Sequence, residues 1–325
     1  MLKMSTDLLR HSLNGVTMGT RWSALFYADV DPAPIQAALQ AAVGAVDGQM
    51  STWKPDSALM RLNAAPIGAW MAIPAQLLKV IALGLDIGRA SDGAFDICMG
   101  DAVTAWGFGP DAADGAKIRA AMAAKRGQAL ELDMTGGFIR KNAPVTLDLN
   151  GIAKGYGVDR LAEILAGFGI SDALVGIDGE MRATGLRRDG TPWSIAVEAP
   201  DPDQRAPHSV LALQDAAVAT SGDYRHWVEV QGRRLSHTMD PRRGAPLLTS
   251  PASVTVVART CALADAWATA LMVLGADEGA AMAQVQGLDA LFLLRDGKES
   301  YRAVPVGGLF AGATPLTTSP VASPA

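Results

Sequence analysis

Residues 144–156 read Pro144-Val145-Thr146-Leu147-Asp148-Leu149-Asn150-Gly151-Ile152-Ala153-Lys154-Gly155-Tyr156. The first six predict a strand over 144–149, with proline at its opening position. Asn150 is a favoured N-cap and Gly151 permits a tight turn, so the apolar periodicity that follows predicts a helix over 152–168, stopped by Gly169. A strand end, a glycine turn and a helix N-terminus in one place form a natural anion site, because unsatisfied N–H groups and the helix dipole face the ligand. Lys154 would add positive charge there, and Asp148 sits at the strand end toward the same crevice. An ordinary βα turn with a solvated lysine fits the segment equally. Neither a Gly-x-x-x-x-Gly-Lys-Ser/Thr run nor a Gly-x-Gly-x-x-Gly fingerprint occurs in the chain.

Upstream, residues 23–30 predict a strand ending at Asp31-Pro32, followed by a helix over 35–50. A second helix over 77–90 is stopped by Ser91-Asp92-Gly93, before a loop over 95–110 rich in glycine and aromatic residues. Downstream come β-rich pieces at 173–177, 193–198, 208–213, 227–230 and 253–257, each bounded by Gly, Pro or Asp. Thr260 then caps a helix through Leu274, closed by Gly275, and a final strand spans 290–294. The segment from Gly312, rich in Thr, Pro, Ser and Ala, is expected to be disordered. Hairpin-like strands mixed with isolated helices, without an internal repeat, predict an α+β fold and not a regularly alternating parallel sheet.

Of the 325 residues 49% are hydrophobic and 19% charged, enough to bury a large core in one or two domains. The net charge of -5 and the absence of Lys/Arg runs exclude a nucleic-acid footprint. An acidic protein that binds an anion needs local compensation from a metal ion, a lysine or helix N-termini. Cys98 and Cys261, far apart in apolar surroundings, read as buried thiols. The opening residues hold no apolar run of the roughly 7 to 15 that export needs, so the chain as written is expected in the cytoplasm, or in the periplasm if a presequence is missing. Residues 262–276 are interrupted by Asp265 and Thr269 and fall short of the roughly 18 residues of a membrane span.

Asp265 and Thr269 stand four apart in Ala264-Asp265-Ala266-Trp267-Ala268-Thr269-Ala270, so a carboxylate and a hydroxyl share one helix face among small residues. Hard oxygen donors there suit Mg²⁺, which takes one or two carboxylates and completes its shell with water and phosphate. A locally bonded polar pair fits the spacing at least as well. His237, in Ser236-His237-Thr238-Met239-Asp240-Pro241, is the best general-base candidate of four histidines, with Asp240 as an orienting carboxylate; a plain surface turn is the alternative. Met50 to Ser57 and Trp106 to Pro110 carry aromatics that could stack on a flat ring or serve as structural loops.

Taken in order, Met18-Gly19-Thr20, Met50 to Ser57 with Arg61-Leu62-Asn63, Gly93-Ala94-Phe95-Asp96, Trp106 to Pro110, Gly151 to Tyr156, Thr220 to Arg225, Ser236-His237 with Asp240-Pro241, and Ala264-Asp265 with Thr269 form one pattern. From Met18 to about Leu294 it resembles the FAD:protein FMN transferase family, the ApbE-type flavin transferases. The resemblance implies a two-lobed α+β fold around a flavin-binding cleft, with a catalytic domain over 18–303, an N-terminal extension over 1–17 and a tail over 304–325. It implies Mg²⁺ on Gly151 (through its carbonyl), Asp265 and Thr269. Flavin contacts would fall on Met18, Trp53, Trp106, Gly107, Phe108, Asp148, Lys154 and His237. The implied reaction transfers FMN from FAD to a Ser or Thr hydroxyl of an acceptor protein and releases AMP, with His237 as base and Asp265 holding the metal. Two alternatives are an FAD pyrophosphatase giving FMN and AMP, and a flavin carrier without turnover. Trp53 stands where Tyr is common, Gly151 where Ala is frequent and Asp178 where Gly is usual, and Phe95-Asp96-Ile97-Cys98 lacks a customary proline.

Overall fold

The computed structural model describes residues 8–124, 129–201, 206–224, 227–230, 233–297 and 300–311. The chain opens with a hairpin of β1 (Leu9–Thr17) and β2 (Thr20–Ala28), turned through Met18 and Gly19, both at positive φ. Asp31 caps α1 (Pro32–Met50) by accepting the Ala33 N–H at 3.0 Å, and Pro32 occupies the first turn, where a missing N–H costs nothing. The helix buries Ile35, Leu39, Val43, Val46 and Met50, one stripe at three- and four-residue spacing. Next come α2 (Ala58–Ala64), β3 (Trp70–Ala72), α3 (Ala75–Ala90), α4 (Gly100–Ala105), α5 (Gly115–Ala123), β4 (Leu130–Asp133), β5 (Phe138–Lys141) and α6 (Ala153–Gly167). The second half holds β6 (Ala173–Ile177), β7 (Glu180–Thr184), β8 (Trp193–Glu198), β9 (Pro207–Leu213), β10 (Ala216–Gly222), β11 (Trp227–Val230), β12 (Arg233–Ser236), β13 (Met239–Asp240), β14 (Ala245–Pro246) and β15 (Ser253–Ala258). The long helix α7 (Cys261–Val285) and the strands β16 (Asp289–Arg295) and β17 (Tyr301–Val306) complete it.

The main sheet has eight strands in the order β1-β2-β6-β7-β10-β15-β16-β17, every neighbouring pair antiparallel. Strand side chains alternate between its faces. On one face Trp22, Phe26, Val175 and Ile177 meet α1 and α6, while Val254, Val256 and Phe292 meet α7. On the other, Val218, Val257, Leu291 and Leu293 pack against Trp193, Ile195 and Leu211 of the β8–β9 hairpin. An antiparallel sheet with helices gathered on one face is the α+β arrangement expected.

Several local readings need correction. Residues 144–149 belong to no sheet, because other partners take their backbone groups. Asn63 brackets Leu147, donating from Nδ2 to its carbonyl at 2.9 Å and accepting its N–H at 2.8 Å. Gly100 donates to Thr146 at 2.9 Å, and Asp148 donates to Ile97 at 2.8 Å. The helix after this segment starts at Ala153, and its N-cap Ile152 makes no side-chain cap. Asn150 instead leans on Asp148, donating from its backbone N–H at 2.8 Å and from Nδ2 at 3.0 Å. The loop over 95–110 contains α4. Gly275 interrupts α7 as expected, at φ 76° and ψ -176°, but the chain resumes helix beyond it. Residues 9–17, set apart as part of an extension, form an edge strand, and β17 runs past residue 303. Residues 1–7, Arg225, His226 and 312–325, the disordered tail of the sequence reading, lie outside the described residues.

Asn63 holds the 144–149 segment as a backbone strand would. Asn63→Ala should therefore cost about 2 kcal/mol or more, since it strands a buried N–H and C=O of Leu147. A urea midpoint equal to that of the parent protein would show that the segment is held elsewhere.

Candidate active site

Two helix starts define the site. On α6, Asp159 accepts the Cys261 and Ala262 N–H groups at 2.9 Å each, capping the first turn of α7 from the side. Thr260 caps the same turn by accepting the Leu263 N–H at 3.4 Å, and Arg182 donates to Asp159 at 2.6 Å. Burial pushes the Asp159 carboxyl up, against the pull of those N–H groups and of Arg182. The helices cross at Gly155, where a Cβ would stand 2.3 Å from the Cys261 carbonyl oxygen and 2.8 Å from Asp265 Cβ. Only glycine admits this approach.

One turn along α7 from that crossing, Asp265 is 5% exposed and accepts the Gly155 N–H on Oδ2 at 2.9 Å. Thr269 follows on the same face, its hydroxyl 3.2 Å from that of Ser221 at the end of β10. The turn at Gly151 lies directly against it, since a Cβ on Gly151 would be 3.0 Å from Thr269 Oγ1. Gly151, Asp265 and Thr269 thus come together across 118 residues of sequence, the difference between positions 269 and 151. Among the described residues no group of three or more His, Cys, Asp or Glu is placed to hold a metal, so a cation here would rely on one carboxylate, neutral oxygens and ligand.

The electrostatics centre on Lys154. Its Nζ donates to Glu180 Oε1 at 2.6 Å. Burial works against its charge, but Glu180, Asp265 and Asp178 outweigh burial and hold its pKa above the ordinary lysine value. Burial first, and then the Glu180 charge, push the Asp265 carboxyl up to about 7, with Lys154 and the Gly155 N–H pulling down. Desolvation pushes Asp148 up to about 6, opposed by the Asn150 N–H. Asp178, at φ 54°, takes a left-handed conformation that favours glycine and that Asp tolerates better than most residues, which explains its place in the β6–β7 turn.

These groups line one cleft of about 1170 Å³, larger than the range of roughly 300–1,000 Å³ usual for small ligands and suited to a dinucleotide. Met18, Trp53, Gly107, Phe108, Asp148, Gly151, Lys154, His237, Asp265 and Thr269 all face it. Trp53 is 62% exposed at its rim, and Phe108 meets the His237 ring edge-on at 6.4 Å. Asp240, expected to orient His237, accepts the Arg242 N–H on Oδ1 at 2.9 Å and so serves its own turn. Trp106 does not line the cleft. Its indole N–H donates to the Gly244 carbonyl at 3.1 Å and its ring packs beside Met99, Ala105 and Met239, so it anchors the loop that presents Phe108. Sequence reasoning assigned no task to Asn63, Asp159, Glu180 or Ser221; Asn63 and Ser221 carried a signal, since each belongs to a quoted motif.

A family model described as the ApbE family matches residues 18–292. A Vibrio cholerae protein named FAD:protein FMN transferase is 37% identical over 298 residues, covering 89% of each chain. A Klebsiella pneumoniae protein of the same name is 36% identical over 297 residues, covering 88% of this chain and 85% of its own. Among solved structures, the flavin transferase ApbE from Vibrio cholerae superposes with a TM-score of 0.82 at 32% identity, over 92% of this chain and 98% of that one. The apo flavinyl transferase ApbE of Pseudomonas stutzeri gives 0.81 at 34% identity, over 92% and 96%.

Proposed function

The chain belongs to the ApbE family and is an enzyme that transfers FMN from FAD to an acceptor protein, and we propose that this transfer depends on Mg²⁺, falls on a Ser or Thr hydroxyl and releases AMP. The observation that carries the proposal is the contact of the Gly151 turn with Thr269, one helical turn from the buried Asp265 and inside a cleft of dinucleotide size. The donor set suits Mg²⁺, which favours a carboxylate and neutral oxygens and takes phosphate oxygens to complete its shell. Bound on Gly151, Asp265 and Thr269, the ion would offset the negative charge that gathers on the diphosphate as the bond between its phosphates breaks.

The chain's own residues supply the rest. Lys154, kept charged by its acidic neighbours, stands beside Asp265 at the start of α6, where N–H groups and the helix dipole also favour phosphate. Phe108 and the exposed Trp53 offer faces to the isoalloxazine ring. His237, on the cleft wall beside Phe108, takes the proton of the incoming hydroxyl on a ring nitrogen as the oxygen attacks phosphorus.

The test incubates the protein with FAD and Mg²⁺, with and without a Ser/Thr acceptor domain. Covalent flavin on the acceptor with stoichiometric AMP is expected. Free FMN at the same rate in both reactions would make the protein a pyrophosphatase, and intact FAD would make it a carrier. His237→Ala is expected to keep FAD affinity while transfer falls by roughly 10²–10⁴. A parental transfer rate at neutral pH would remove His237 as the base.

A further inference from the structure

Glu180 opens β7 directly after the Asp178-Gly179 turn, and it is 3% exposed. Its Oε1 takes the Lys154 ammonium at 2.6 Å, yet its Oε2 has no partner among the described residues. A carboxylate offers about four acceptor positions, and leaving a buried oxygen unpaired is costly. The residue also lines the cleft, and although this oxygen is itself closed off from solvent, a turn of the carboxylate toward the cleft would bring it to a ligand there.

Resting on the reading that FAD occupies this cleft, we propose that Glu180 is a further substrate-recognition residue whose free carboxylate oxygen accepts a hydrogen bond from a sugar hydroxyl of the dinucleotide. The Lys154 ammonium on the same carboxylate repels a second cation, which favours a neutral donor. FAD carries such donors on its ribityl chain and on its adenosine ribose, and an acidic side chain that reads a ribose hydroxyl is a device used by other dinucleotide sites. The hydroxyl is the shared chemistry, and the two ends of FAD are its possible sources.

A glutamine substitution makes the donor type testable. Lysine can only donate, so in Glu180→Gln the amide oxygen must turn to Lys154 and the NH₂ group must face the cleft. A ligand hydroxyl can reverse its role and accept from that group, whereas a ligand N–H cannot. FAD affinity is measured by flavin fluorescence in EDTA, so that no turnover intervenes, with thermal melts confirming that each variant folds. Glu180→Ala should weaken FAD at least tenfold, and Glu180→Gln clearly less. Loss of competition by FMN but not ADP would assign the ribityl chain; the opposite would assign the ribose.

Parental FAD affinity in both variants overturns the proposal. Glutamine as harmful as alanine overturns the hydroxyl, and unchanged competition by both fragments overturns the contact. The Lys154→Met background guards against an indirect effect: if Glu180→Ala has no further effect there, Glu180 acts only through the lysine and the direct bond is refuted. Wild-type protein that binds no FAD would instead undo the transferase reading.

Discussion

Asp265→Asn is expected to lower Mg²⁺-dependent AMP release at least 10³-fold, about 4 kcal/mol of barrier. The amide removes the one carboxylate of the proposed metal set while its oxygen can still accept the Gly155 N–H, so loss of activity is not loss of fold. Asp265→Ala should abolish turnover too, but it also strands that N–H and lowers stability. Unchanged activity in Asp265→Asn across a Mg²⁺ titration would remove the residue from the chemistry. The pH dependence is a second readout. The metal-free carboxyl keeps its proton up to about pH 7, because burial and Glu180 disfavour the charge. A cation must displace that proton, so Mg²⁺ affinity should fall by up to about tenfold per pH unit below 7 and level off above it. A flat Mg²⁺ affinity between pH 5.5 and 7 would contradict the assignment.

Gly155→Ala should have the largest effect on the fold. The added methyl would sit 2.3 Å from the Cys261 carbonyl oxygen and 2.7 Å from its carbon, and both are backbone atoms that cannot rotate aside. Relief requires α6 and α7 to separate, which would strain the bonds from Asp159 to Cys261 and Ala262 and pull Asp265 off the Gly155 N–H. A cost of about 3 kcal/mol or more is expected, at or beyond the upper end for overpacked cores. Any folded fraction should have weakened Mg²⁺ affinity. A melting temperature within a degree of the parent would mean that the two helices are not locked at this crossing.

Features set by local sequence were legible. Thr260 as a cap, Gly275 as a break, and Asp265 and Thr269 on one helix face follow from spacing alone, and the strands at 173–177, 193–198 and 227–230 agree residue for residue. The miss at 144–149 is instructive. Its pattern is that of a strand, but pattern reports only the side chains, and the backbone partners turned out to be Asn63, Ile97 and Gly100. β1 was passed over because an edge strand is largely exposed and so carries little apolar alternation. Trp106 misled because an aromatic in a glycine-rich loop reads alike whether it faces ligand or loop. The pairings of Lys154 with Glu180 and of Asp159 with Cys261 join residues 26 and 102 apart, a separation that periodicity cannot bridge.

The strand order has a kinetic consequence. β2 pairs with β6, β7 with β10, and the cleft walls run from Met18 to Thr269, so no N-terminal portion of the chain holds a complete binding surface. During synthesis the nucleotide cannot act as an early template. It can be captured only after α7 has left the ribosome and docked beneath Asp159, which makes the apo protein the obligatory product of translation and leaves the β1–β2 hairpin with the open edge of β2 awaiting β6, synthesised more than a hundred residues later.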